Sequence, residues 1–102
     1  MFRRVLLHRL AERDLDAILS HVAMDSLANA EAFVDRIEDR CLSLSEMPHW
    51  GRRRRDLPGD VRELVFEGRV VIVYAIGSAE ITILRILYGG RNAPSVPPIP
   101  DD

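Results

Sequence analysis

The chain contains no lysine; all fourteen of its basic residues are arginine. Schiff-base and other lysine-amine chemistry is therefore excluded. Cysteine occurs once, as Cys41. One thiol can form neither an internal disulfide nor a cysteine-based zinc cluster, and the expected setting is a reducing cytoplasm. No apolar run approaches the length of a membrane span. The N-terminal "MFRRVLLHRLAERD" has an apolar stretch too short and too interrupted for a signal peptide. Motifs of the CxxC, HExxH and GxxxxGK types are missing, and His8, His21 and His49 have no ligand spacing. Neither a metal nor another cofactor is expected.

What is present suits one domain. A chain of 102 residues, 47% hydrophobic and 29% charged, can bury a modest core without covalent staples. The net charge of −2 is unevenly spread. Arg3, Arg4 and Arg9 open the chain, nine acids against three arginines fill residues 10–47, and eight arginines against five acids fill residues 48–92. A globally basic nucleic-acid binder is disfavoured, although one basic face is compatible with the pattern.

"RRVLLHRL" reads as a first strand. Leu15, Ile18, Leu19 and Val22 then recur at helical spacing, followed by a second stripe of Ala30, Phe33, Val34, Ile37, Cys41 and Leu44. The short link "MDSLAN" offers Asp25, Ser26 and Asn29 as N-caps and makes the helices an antiparallel hairpin. Pro48 is expected to end the second helix. "PHWGRRRRDLPGD" reads as a loop, and "VRELVFE", "RVVIVYAI" and "EITILRIL" as three strands turned at Gly68 and at Gly77-Ser78. The predicted order is an N-terminal strand, a helical hairpin and a three-stranded antiparallel meander, an α+β fold over residues 1–92. Residues 93–102 form a proline-rich tail expected to be mobile.

Cys41, on an apolar stripe, reads as a core residue, and Glu63 and Glu67 as the solvated face of an edge strand. Arginine is the unusual feature. Arg52, Arg53, Arg54 and Arg55 form a basic loop, read either as solvated or as a contact surface. Arg62, Arg69 and Arg85 belong to the strands, and Arg91 follows Gly89-Gly90. Simple alternation puts Arg85 on one face with Ile81, Ile83 and Leu87. It is then either an intramolecular salt-bridge partner or an anchor for an acidic partner on an apolar face.

"LAERDLDAI", "AEAFVDRIEDRCLSLSEMPHWGRRRRDL", "VRELVFEGRVVIVYAI" and "ITILRILYGGRN", in this order, resemble the ParE branch of the RelE/ParE toxin superfamily of bacterial toxin–antitoxin systems. The resemblance runs from the first strand to Asn92, with one departure. Tyr88 stands where such proteins commonly place a histidine. The resemblance implies a growth-inhibiting cytoplasmic toxin that poisons DNA gyrase by binding and needs no catalytic group. It also implies a cognate antitoxin, ParD-like or another small DNA-binding protein. The toxin would sit in a hetero-oligomeric complex and meet DNA only through the antitoxin.

On that reading Tyr88, Gly89, Gly90 and Arg91 contact the target. Arg62, Arg69 and Arg85 meet acidic antitoxin residues across the sheet face that the single helical hairpin leaves uncovered. One alternative is a ribosome-dependent mRNA endonuclease using Arg62, Arg69, Tyr88 and Arg91. It requires a strongly tuned phenol, since tyrosine ordinarily ionises near ~10, and RNA docking by a chain of net negative charge. Another is a non-toxic member that keeps only antitoxin binding.

Overall fold

A computed structural model describes residues 3–89 and 96–98. The elements in chain order are β1 (Arg4–Leu7), α1 (Arg9–Ala23), α2 (Leu27–Ser43), β2 (Arg52–Arg53), β3 (Val61–Phe66), β4 (Val70–Ile76) and β5 (Glu80–Tyr88). His8 caps α1, its Nδ1 accepting the Leu10 amide at 3.0 Å. Of the three candidate caps in the link, Ser26 caps α2 by accepting the Asn29 amide at 3.2 Å. The second helix stops at Ser43, well before Pro48, and its end unwinds through Leu44–Met47 turns. No helix among the described residues is long and apolar enough to cross a membrane.

The sheet has five strands in the order β1-β5-β4-β3-β2. β3, β4 and β5 are antiparallel neighbours, and β1 lies parallel to β5 at one edge. The stretch read as a basic loop supplies the other edge, where Arg52 pairs with Glu63 and Arg53 with Arg62. Two residues are too few for period-two alternation to show, so the sequence pattern carries no sign of this strand. Glu67 (φ 52°) and Gly68 (φ 67°) are the central residues of the tight turn in the three-residue connection between β3 and β4, closed by Arg69 N–H donating to Phe66 O at 3.1 Å.

A β-bulge sits where β4 meets β5. Val73 faces Arg85 while Tyr74 faces Ile83, so Leu84 has no opposite residue. The extra residue resets the alternation. Ile81, Ile83 and Ile86 join the core beneath the helices with Phe33, Ile37, Cys41, Ile72 and Tyr74. Leu84 packs on the other face with Val61, Val73 and Ala75, and Leu87 lies beside them. This corrects the expected facing of Arg85 with Ile81, Ile83 and Leu87.

The face away from the helices is not the bare patch that one hairpin on one sheet implied. Val61, Val73, Ala75 and Leu84 are buried, covered by Leu57 from the loop before β3 and by Val96 from the C-terminal segment. Tyr74 is buried and holds the opposite end of that loop. Its hydroxyl accepts from Gly51 N–H and donates to Pro48 O, both at 2.8 Å. Burial pushes the Tyr74 phenol upward. A Cβ at Gly51 would lie 2.7 Å from that hydroxyl and 2.9 Å from Glu63 O, so only glycine fits.

Candidate functional site

Among the described residues, six of the arginines singled out in the sequence, Arg52, Arg53, Arg54, Arg62, Arg69 and Arg85, form ion pairs within the protein itself. Arg85 reaches α1, where Nε donates to Asp14 Oδ2 at 2.8 Å and Nη2 to Asp14 Oδ1 at 2.9 Å. The two side chains are only 14% and 15% exposed. Of the two readings left open for Arg85, the intramolecular pair is the one observed. Arg62 is 17% exposed. Its Nε donates to Asp60 Oδ1 at 3.0 Å and its Nη1 to Gly51 O at 3.1 Å, so it clips the loop rather than facing outward. Arg52 pairs with Glu63 at 2.9 Å, and Arg54 grips Asp56 at 2.7 and 2.9 Å. The Arg54 hydrogen bonds hold the Asp56 carboxyl down at about 2. Arg53 and Arg55 are exposed.

Arg69 and Tyr88 do come together. Val70 lies opposite Tyr88, which brings the start of β4 beside the end of β5. Arg69 is half exposed, with its guanidinium 4.3 Å from the centre of the Phe33 ring. Tyr88 meets Phe33 and His21 edge to face, at ring separations of 5.9 and 5.7 Å. These side chains line a cavity of about 350 Å³ with Ser26, Asn29 and Arg36. Arg36 and Arg69 both reach Glu67, at 2.8 and 3.4 Å. The Arg36 hydrogen bond, more than that from Arg69, lowers the Glu67 carboxyl. The chain leaves this cavity through Gly89, at φ 77°, whose N–H donates to Arg69 O at 3.1 Å. Gly90 and Arg91 lie outside the described residues.

Arg62 is distant from this group. It pairs with Tyr74, four residues along β4 from the residue opposite Tyr88, which is roughly 13 Å at strand rise. The set Arg62, Arg69 and Tyr88 is therefore not gathered at one point.

Cys41 is buried, and burial drives its thiol up to about 12, which makes it inert as a nucleophile. No group of acidic, histidine or cysteine side chains among the described residues is arranged to hold a metal. The chain's own partners of its arginines were missed at the sequence level. Asp14 carried a usable signal. It lies three residues after buried Ala11 and one before buried Leu15, so a carboxylate falls at the margin of an inward-facing stripe.

Residues 5–93 match the family described as the ParE toxin of the type II toxin–antitoxin system parDE. A solved chain from the chromosomal ParDE toxin–antitoxin system of P. aeruginosa is 30% identical, with a TM-score of 0.73, covering 85% of this chain and 96% of that one. A chain of the RelBE2 toxin–antitoxin complex from Mycobacterium tuberculosis is 24% identical, with a TM-score of 0.57, covering 87% and 100%, and shares the fold. No curated protein matches the chain.

Proposed function

The chain belongs to the ParE toxin family of type II toxin–antitoxin systems, and from that premise we propose that it arrests growth by binding DNA gyrase and is silenced by a cognate small DNA-binding antitoxin. Its work is done by contact. The end of β5 is the target-facing part, with Tyr88 and Gly89 at the cavity and Gly90 and Arg91 following in sequence. Arg69, half exposed beside Tyr88, belongs to the same surface. The toxin acts in the cytoplasm, in a hetero-oligomer that reaches DNA through the antitoxin.

The observation that carries this reading over RNA cleavage is the separation of Arg62 from Tyr88, with Arg62 and Arg85 each held in an internal ion pair. Cleaving a phosphodiester requires cations converging where charge develops, with a tuned acid or base beside them. Two of the strand arginines are turned to holding the fold instead. Binding, in contrast, needs only a presented surface.

The test places purified protein in gyrase supercoiling and DNA-cleavage assays, with a translation extract run in parallel. Stabilised gyrase–DNA cleavage complexes, or blocked supercoiling, are expected. Unaffected gyrase together with codon-positioned cuts in mRNA would transfer the protein to the endonuclease reading.

A further inference from the structure

Glu67 is the one residue other than glycine, among those described, that takes a positive φ, at 52°. Glycine and asparagine enter this region more readily, because a Cβ there crowds the following carbonyl oxygen. What Glu67 contributes is its carboxylate. Oε2 and Oε1 accept from Arg36 Nε and Nη2 at 2.8 and 3.1 Å, and Oε1 also accepts from Arg69 Nη2 at 3.4 Å. One acid thus gathers an arginine of α2 and an arginine of the turn before β4. Both guanidiniums lie over the Phe33 ring, 5.4 and 4.3 Å from its centre. Their side chains are 48% and 50% exposed, so the cations are held in place yet open to a further partner.

Arg36 and Arg69 line the cavity of about 350 Å³ beside Tyr88, whereas Glu67 does not. Glu67 therefore grips the pair from outside the cavity. It takes two N–H groups of Arg36 but only one of Arg69, at the long end of hydrogen-bond distance. The remaining Arg69 N–H groups and the Tyr88 hydroxyl have no acceptor among the described residues. The rings of Phe33, Tyr88 and His21 frame the space and limit its hydration. Asp25 is the one carboxylate among the described lining residues. Two arginines against Glu67 and Asp25 leave this region with no formal net charge.

That balance selects the ligand. A nucleic-acid strand requires several uncompensated cations to release its counterions, and this wall offers none in excess, on a chain of net charge −2. A single carboxylate requires only one good set of donors in a sheltered place. The rim points to a protein as its carrier. Met24 and Leu27 flank the lining residues Asp25 and Ser26 in the hairpin link and are 83% and 60% exposed. Methionine and other apolar side chains of this kind find cover in the core of a protein interface. We infer that the cavity receives an aspartate or glutamate side chain of the toxin's target, held by Arg69 and Arg36 beside Tyr88, and that Glu67 is a built-in competitor that weakens this grip. The inference rests on the reading of this end of the sheet as target-facing, and adds the chemistry of what is grasped there.

The test variant is E67Q, which keeps the length and polarity of the side chain and removes its charge. E67N, which also suits a positive φ, is its companion should E67Q fold poorly. Two readouts are taken on the full chain. The first is nuclear magnetic resonance of the arginine Nε–Hε groups and the Tyr88 ring during titration with a blocked Gly-Glu-Gly peptide, with blocked Gly-Gln-Gly and a short oligothymidylate alongside. The acidic peptide should shift Arg69, Arg36 and Tyr88 and the neutral peptide should not. E67Q and E67N should each bind the acidic peptide about fivefold more tightly, and R69A should lose the response. The second is gyrase supercoiling, which E67Q should inhibit at about one-fifth of the wild-type concentration. Affinity in E67Q equal to or below wild type shows that Glu67 organises the arginines rather than competing for them, and overturns the inference. A gain in E67N without one in E67Q assigns the effect to the turn backbone and overturns it too. Equal shifts with the neutral peptide, or tighter binding of the oligothymidylate, overturn the carboxylate as ligand. Each of these leaves the gyrase reading intact when wild-type protein inhibits the enzyme. Peptide binding at the cavity by a protein that leaves gyrase untouched overturns the gyrase reading alone.

Discussion

The carboxylate of Asp14 accepts hydrogen bonds from Arg85 Nε, from Arg85 Nη2 and from the backbone amide of Ile86, at 2.8, 2.9 and 2.9 Å. β1 pairs with β5 only as far as Ile83. Beyond that point the β5 edge has no neighbouring strand, and a side chain from α1 takes over as acceptor. The bulge at Leu84 presents Arg85 and Ile86 together to that one group. One contact thus joins the helical layer to the sheet, and it depends on a local irregularity in the strand.

Removing Asp14 should therefore cost more than an exposed ion pair is worth. D14A leaves a largely buried guanidinium and a strand amide without their acceptor, and is expected to destabilise by about 2–4 kcal/mol. D14N, which keeps one acceptor oxygen, should cost less. R85M, which removes the charge but keeps the stem, should be milder than D14A, and the double variant should fall well short of additivity. Equilibrium urea unfolding of the four proteins measures this. Additive losses would show that the two residues act separately.

Val96 makes a packing contact that the prolines beside it hide in the sequence. Val96 covers the cluster of Val61, Val73, Ala75 and Leu84 on the sheet face away from the helices. Deleting residues 94–102, or substituting V96D, should lower stability by about 1–2 kcal/mol through re-exposure of apolar surface. Binding of a hydrophobic dye to the folded protein should rise with it. Unchanged unfolding midpoints and dye binding in both variants would show that the segment does not protect this face.

High pH supplies a test of the core. The Cys41 thiol ionises near 9 when free and only at about 12 in the folded protein, because burial penalises the thiolate. Between those values the unfolded chain has lost a proton that the folded chain retains. Stability is thus fully present below about 9 and falls as pH rises through the window, with a slope approaching about 1.4 kcal/mol per pH unit from this group. Tyr74, also raised by burial, adds in the same direction. C41A should flatten the decline measured by urea unfolding across that range. At pH 8 a thiol reagent should modify Cys41 only at the rate of unfolding.

Much of the architecture was legible because it is written in short periods. The stripes at Leu15–Val22 and Ala30–Leu44 repeat every helical turn, and Gly68 marks a turn that requires positive φ. The bulge was not legible, since nothing in "ITILRILY" distinguishes an unpaired Leu84 from an ordinary strand residue. That single insertion decided which face Ile86 and Leu87 occupy, and with them the role of Arg85. The pairing of Arg85 with Asp14 spans 71 positions and has no local signature. The Tyr88–Arg69 neighbourhood was half legible. Both residues were singled out, but the cavity joining them to His21 and Phe33 exists only once α1 and α2 are packed.

That neighbourhood carries the functional prediction. Arg69 is half exposed, its charge shared loosely with Glu67 at 3.4 Å and stacked on Phe33. It can turn to an anionic group on a target at little cost to the fold. R69A is therefore expected to keep the wild-type circular dichroism and to destabilise by no more than about 1 kcal/mol. R91A should behave likewise on the sequence-level reading of that residue as a target contact. Each should weaken gyrase inhibition by about tenfold, and together they should nearly abolish it, since two charge-assisted contacts are removed. R55A, an exposed arginine of the loop before β3, is the control and should inhibit as wild type does. Y88F separates a hydroxyl role from a ring role. The ring contacts with His21 and Phe33 survive the substitution, so lost inhibition would assign the target contact to the phenol itself. Full inhibition by a folded R69A/R91A protein would move the target-binding surface away from this end of the sheet.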